Sequence, residues 1–186
     1  LLNDLMALDP AIIEGCIMER RKEQQMLYQH FASPMLSLCM RYCRNRMEAE
    51  DVLQEGFIKI FRKISTFRQS GSLEGWVRRI MINQAINHLK SQKLLFLDAD
   101  PYIIGNQIAE EQPEEQAELR YQPDELMQMI QELPPGYKVV FNLYVFEGYS
   151  HKEIAEELEI SENTSKSQLS RARSYLRRKL AEKKRV

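Results

Sequence analysis

SHKEIAEELEISENTSKSQLSRAR, residues 150–173, decides how the rest of the chain is read. Ser150 followed by Glu153 is a capping box, in which hydroxyl and carboxylate each satisfy a main-chain amide at a helix start. Ile154, Ala155 and Leu158 then share one helical face, Ile160 plugs a turn, and Ser161 with Glu162 opens a second helix at its positive end. On that second helix Ser165, Leu169, Ala172, Leu176 and Leu180 recur at steps of four, three, four and four, which predicts a buried stripe. The opposite face carries Thr164, Ser167, Arg171, Ser174 and Arg178, flanked by Lys166, Ser170 and Arg177. Small hydroxyls and forked guanidiniums facing out of a helix-turn-helix suit the DNA major groove, with Lys166, Ser167, Ser170 and Arg171 as the candidate contacts. An ordinary αα-hairpin with a basic outer face is the plainer alternative. The short turn, the small outward residues and the density of bases together favour DNA.

The charge pattern extends this reading. Residues 162–186 hold nine Lys and Arg against Glu162 and Glu182, although the whole chain of 186 residues has a net charge of −1. Residues 91–125 hold nine acids against Lys93 and Arg120, and residues 41–90 hold ten bases against five acids. The layout is basic, acidic, basic, as two nucleic-acid contacts joined by an acidic strap would be. At 44% hydrophobic and 28% charged the chain is globular, and seven Gly with seven Pro are few for a many-turned β protein. The longest apolar run, Val139 to Phe146, is too short to span a bilayer, and no signal peptide pattern opens the chain. Three Cys argue against a disulfide framework and suit a reducing cytoplasm.

The expected fold is all-α, with two small helical domains joined by an acidic linker: residues 10–93, 94–123 and 124–182. In the first, Met26, Leu27, Phe31, Met35, Leu38 and Tyr42 recur at helical spacing. A second helix beginning near Glu48 uses Leu53, Phe57, Ile60 and Ile64 for its core, and Arg68–Ser72 reads as a turn before a third helix, Leu73–Ser91. The linker gains Pro101, Gly105, Pro113 and Pro123, with a short helix expected around Glu114–Leu119. Its thirty residues reach roughly 100 Å if extended, enough to join sites two duplex turns apart, about 70 Å. In the last module, helices over Asp124–Leu133 and Tyr137–Glu147 precede Gly148, which fits a helix C-terminus.

Trp76, Arg79, Asn83, Asn87 and Lys90 form one stripe on the third helix. Rings stack on unpaired bases and amides read their exposed edges, so the stripe suits a single-strand reader, with Phe67 walling a pocket for an extruded base. The competing reading buries Trp76 and Phe67 in the core. On the helix before it, Asp51, Gln54, Glu55, Ile58 and Arg62 face outward, placing an apolar residue among charges as at a protein-docking surface. An exposed Ile is otherwise unremarkable. Cys39 and Cys43 lie four apart but lack further ligands at metal spacing, so they read as core thiols. No phosphate-cradling loop, metalloprotease motif or nucleophile elbow occurs, and neither a catalytic site nor a cofactor is expected.

Glu50–Lys63, Phe67–Arg68 and Trp76–Leu89 closely resemble region 2 of bacterial RNA polymerase sigma factors, while Leu133–Tyr137, Glu147–Ala155 and Asn163–Arg173 resemble region 4. These two regions with little else resemble the extracytoplasmic-function (ECF) group of the sigma-70 family. The resemblance implies that Asp51, Gln54, Glu55 and Ile58 dock on the β′ clamp helices of core RNA polymerase. It implies that Phe67, Asn83 and the Arg68–Ser72 loop capture a flipped −10 base, with Trp76, Arg79 and Asn87 nearby. Lys166, Ser167, Ser170 and Arg171 would read the −35 element in duplex form. It further implies contact of region 4 with the β flap, an acidic linker threading the polymerase cleft, and an anti-sigma factor, often membrane-tethered, without membrane insertion of this chain. Three positions depart from the family's habit: Asn163 where Gly is common, Ser165 where Val is common, and Arg78 where an aromatic or apolar residue is common. A free-standing helix-turn-helix regulator is the alternative function, and a helical adaptor a third. Neither needs strand-separation residues or a polymerase dock.

Overall fold

The computed structural model describes residues 9–68, 71–91 and 123–183. Every regular element among them is helical: α1 Pro10–Ile17, α2 Arg21–Tyr42, α3 Arg46–Lys63 with a 3-10 turn at Ile64–Thr66, α4 Leu73–Ser91, α5 Pro123–Gln131, α6 Pro135–Val145, α7 His151–Leu158 and α8 Glu162–Lys183. The chain divides into two compact units, Leu1–His88 and Leu89–Val186. The expected linker up to Gln122, the helix around Glu114–Leu119, and Gln69 and Ser70 of the turn lie outside the described residues.

Local chemistry sets the helix boundaries of the first unit. Asp9 caps α1 by accepting from the Ala11 amide at 2.9 Å, and Pro10 occupies the first helical position, where no amide partner is needed. The chain reverses through Glu19 at φ 56°, a left-handed conformation unusual for a side-chain-bearing residue, and the Arg20 amide donates to the Gly15 carbonyl at 2.9 Å. α3 starts at Arg46, earlier than the expected Glu48. The Asn45 side chain is its cap, accepting from the Glu48 amide at 2.9 Å.

α2 packs against α1 and α3. Leu27, Phe31, Met35, Leu38 and Tyr42 of α2 and Leu53, Phe57, Ile60 and Ile64 after them are buried as their spacing predicts, each such side chain contributing about 1.5–3 kcal/mol of transfer free energy. Met26 is the exception. It is 42% exposed, because Leu27 takes the inward position at the start of this stripe. Cys16, Cys39 and Cys43 are buried free thiols. Burial, with the neighbouring Cys43 adding to it, pushes the Cys39 thiol up to about 12. It is a protonated core group, as expected. Buried Gly56 of α3 faces the Met81 side chain of α4 so closely that a Cβ there would collide with it.

In the second unit α8 packs against α5, α6 and α7. Ile130, Leu133, Tyr137 and Ala172 form a core joined by the partly buried Phe141, Tyr175 and Leu176. α6 ends at Val145 rather than at Glu147, because the Glu147 amide turns to the Asn142 carbonyl at 3.2 Å. Gly148, at φ 71°, then lets the Tyr149 amide reach the Leu143 carbonyl at 3.0 Å. The expected capping box is present: the Ser150 hydroxyl accepts from the Glu153 amide and the Glu153 carboxylate from the Ser150 amide.

Candidate nucleic-acid interfaces

In the second unit, the two helices of the helix-turn-helix are α7 and α8. Ser161 caps α8, its hydroxyl oxygen accepting from the Thr164 amide at 3.0 Å and meeting the Thr164 hydroxyl at 2.8 Å. Ser165, Leu169 and Ala172 are buried, Leu176 and Leu180 partly so, and the predicted stripe is the packed one. Lys166, Arg177 and Arg178 are exposed, while Ser167, Ser170 and Arg171 are half-buried on the same helix. Thr164, expected outward, is tied into the cap. The Ser167 hydroxyl turns back to donate to the Thr164 carbonyl at 2.9 Å, leaving its oxygen lone pairs for a partner. The guanidinium of Arg178 lies 5.3 Å from the Tyr175 ring centroid.

His151 and Ser165 are two residues of this unit that the sequence reading did not single out together. His151 Nδ1 and Ser165 Oγ are 2.9 Å apart, and the imidazole stacks on Tyr144 of α6 with centroids 4.7 Å apart and planes at 25°. Burial lowers the His151 pKa first, with Lys166 and Arg173 adding positive charge nearby and Glu162 opposing them. The sequence signal was the serine itself, a polar residue in an otherwise apolar stripe.

In the first unit, Ser72 caps α4 by accepting from the Gly75 amide at 3.1 Å. Trp76 and Phe67 stand together, ring centroids 5.6 Å apart and tilted by 50°. Both are half-buried, which makes them neither solvent ornaments nor closed core. Arg79 and Asn87 are exposed; Asn83 is half-buried, and its buried side-chain oxygen has no hydrogen-bond partner among the described residues. An unpaired buried amide oxygen costs about 1–3 kcal/mol, and a base edge offering a donor would satisfy it.

On α3, Asp51, Gln54 and Glu55 are exposed and Ile58 is 50% exposed. Glu55 is not independent: Gln84 of α4 donates to its carboxylate and accepts from Lys59, so a buried amide joins α3 to α4 behind the docking candidate. Met47, 70% exposed, was missed. It sits eleven residues before Ile58, within about 20° on the helical wheel, and periodicity would have found it had the outward face been extended by one turn. Among the described residues no group of His, Cys, Asp and Glu could hold a metal ion, and no helix is long and apolar enough to cross a membrane.

Comparisons with known proteins match residues 27–94 to the model of sigma-70 region 2 and residues 124–176 to that of sigma-70 region 4. The ECF RNA polymerase sigma-E factor of Haemophilus influenzae is 29% identical over 180 residues, covering 92% of this chain and 95% of its own. The RNA polymerase sigma-H factor of Pseudomonas aeruginosa is 32% identical over 157 residues, 80% of either chain. The ECF sigma factor SigW of Bacillus subtilis is 29% identical over 161 residues, covering 81% of this chain and 84% of its own. Among solved structures, the sigma factor RpoE of Bartonella quintana, in complex with the anti-sigma factor NepR, shares the fold with a TM-score of 0.52 at 19% identity, over 87% of this chain and 98% of that one. CnrH, in complex with the cytosolic domain of CnrY, does so with a TM-score of 0.50 at 15% identity, over 92% and 96%.

Proposed function

The chain belongs to the sigma-70 family, in its extracytoplasmic-function group, and from that membership we propose which of its residues do what in promoter recognition. As a sigma factor it binds core RNA polymerase and directs promoter-specific initiation; it supplies specificity, and the polymerase supplies the chemistry. A free-standing regulator is not favoured, since region 2 would then have no task.

In the proposed mechanism, Asp51, Gln54, Glu55 and Ile58 dock on the β′ clamp helices and so bring both DNA-reading faces to the promoter. Lys166, Ser167, Ser170 and Arg171 enter the major groove of the −35 element, Arg171 forking onto a guanine while the others hold bases or phosphates. Phe67 and Trp76 wall a pocket for an unpaired −10 base, Asn83 reads its edge, and Arg79 and Asn87 hold the strand beside it. Trapping an unpaired base lowers the free energy of the melted state without acting on the duplex, which is how a binding protein promotes strand opening. The single observation that carries this reading is the pairing, on one chain, of an aromatic-and-amide stripe on α4 with a basic helix-turn-helix face on α8. Contact of region 4 with the β flap, a cytoplasmic location and an inhibitory anti-sigma factor complete the proposal. The Bartonella sigma factor of similar fold was solved with such a factor.

Run-off transcription with core polymerase on source genomic DNA tests it. Discrete new transcripts sharing two upstream elements are expected. Sequence-specific binding by the protein alone, with no new transcript, would replace it by the free-standing regulator.

A further inference from the structure

Ser165 lies in the first turns of α8, immediately before Lys166 and Ser167, and is 0% exposed. Its amide donates to the Ser161 carbonyl at 3.0 Å, as helix geometry requires, and its buried hydroxyl, unlike that of Ser167, bonds to a side chain of another helix. That partner is His151 at the first position of α7, 2.9 Å away through Nδ1. The imidazole in turn lies flat on Tyr144 of α6, and the Arg173 guanidinium, two turns along α8, sits 5.8 Å from the centroid of the same Tyr144 ring. Serine, imidazole, phenol ring and guanidinium thus form one chain of contacts that ties α6, α7 and both ends of the reading segment of α8. Such a tie differs from apolar packing in being directional. A hydrophobic contact tolerates a rotation of α8 about its own axis, whereas a hydrogen bond at 2.9 Å holds the first turn in one orientation. Rotating that turn would swing Lys166 and Ser167, the adjoining residues, across neighbouring base pairs.

We infer that the His151–Ser165 hydrogen bond sets the angle at which α8 meets the −35 element, making His151 a positioning residue for promoter selectivity although it lies off the reading face. The inference rests on the proposed reading of α8 as the −35 contact. Burial lowers the His151 pKa first, with Lys166 and Arg173 adding positive charge nearby and Glu162 opposing them, so the site favours the neutral ring. A neutral ring pairs with the serine hydroxyl in either tautomer, and adds no charge of its own to the groove.

The test is selection of functional −35 sequences from a randomised promoter library by holoenzyme carrying wild type, His151→Phe, His151→Asn, Ser165→Ala or Arg171→Ala. His151→Phe keeps a ring on Tyr144 and loses the hydrogen bond; His151→Asn keeps a hydrogen-bonding group near the Nδ1 position and loses the ring. His151→Phe and Ser165→Ala should each relax base preference roughly three- to tenfold at the positions beside Lys166 and Ser167, the range expected for one buried hydrogen bond. Their double variant should be no worse than either alone, binding to non-specific duplex should be unchanged, and His151→Asn should restore most of the preference. If Arg171→Ala relaxes the −35 preference while His151→Phe and Ser165→Ala keep the wild-type profile, the positioning role is overturned and the −35 reading stands. If none of the variants alters it, the −35 reading fails and the inference with it. A purely structural role is the outcome in which His151→Phe and Ser165→Ala lower the melting temperature but leave the preference profile intact, and it too overturns the inference.

Discussion

In α8 the buried residues Ser165, Leu169 and Ala172 keep to one side, and Lys166, Arg177 and Arg178 are exposed around the rest; in α4 Val77, Met81, Ile82, Gln84, Ala85 and Ile86 are all buried, and of the candidate contacts on it Arg79 and Asn87 are exposed while Trp76 and Asn83 are half-buried. On a helical wheel the buried arc of α8 spans about 60° and that of α4 about 200°. A helix lying on its unit by a narrow stripe offers a broad, wet face, which suits a groove lined with phosphates. A helix wedged among neighbours offers a narrow one whose side chains are held by packing, which suits a pocket for one base at a time. Trp76 and Asn83 fall near the middle of the remaining face of α4, about 160° wide, and both are half-buried there, with Phe67 of the preceding turn beside Trp76. The comparison teaches that the two faces proposed to read DNA differ in how far packing surrounds them before they differ in chemistry.

The sharpest way to break this division is to remove what both faces depend on. Ile58→Asp should cost more than about 2 kcal/mol in affinity for core polymerase, as loss of an interface anchor does, and depress transcription from every promoter while the melting temperature holds. Competition binding reads it directly, and unchanged affinity would move the docking face elsewhere. Arg171→Ala should cost about 1–3 kcal/mol in selectivity and relax one −35 position. A promoter series with unchanged preference there would refute the assignment. Asn83→Ala should weaken open-complex formation by about 1–2 kcal/mol, the range for a hydrogen bond to a base edge, and weaken duplex binding less. Equal losses in both, followed by permanganate footprinting and gel shift, would erase the distinction between the faces.

Two smaller effects sharpen the comparison at the level of packing. Gly56→Ala should destabilise the first unit by about 1 kcal/mol by overpacking, since the new methyl meets the buried Met81 side chain that wedges α4. An unaltered thermal melt would mean that α4 is held less tightly than its burial implies. The smallest effect concerns the second unit. His151 titrates below the usual 6.5, from burial first and then Lys166 and Arg173. Folded protein therefore holds that proton more weakly than unfolded chain, and the contribution is present above the ordinary pKa and lost as pH falls through the lowered one. The stability of wild type relative to His151→Phe should decline on acidification below pH 6.5. Parallel curves between pH 8 and pH 5 would remove His151 from the titration.

How legible each region was follows from the same arcs. The stripe of α8 is narrow and regular, so periodicity found its buried and outward faces together, and the Ser150 box and Ser161 cap marked where its two helices start. The turn before α3 was less clear, because Asn45 caps from outside the apolar pattern and moved the start to Arg46. α4 showed its contact stripe in sequence, but nothing in the spacing said that Trp76 and Phe67 would be half-buried partners 5.6 Å apart. Gln84 was invisible as a bridge, since an amide on a helix reads as solvent-facing until Glu55 and Lys59 are brought to it from another helix.

By itself the sequence determined the all-helical class, the basic and acidic segregation, the capped helix-turn-helix and the resemblance that named its family, because periodicity, caps and charge are local properties of a chain. Tertiary structure alone decided which polar side chains are spoken for: that Glu55 is tied to Gln84 and that Ser165 meets His151 across the turn, whereas the buried Asn83 oxygen meets no partner among the described residues. Those are meetings between residues on different helices or turns apart, and a hydrogen bond of about 3 Å depends on packing to within an ångström, which no spacing along the chain can specify.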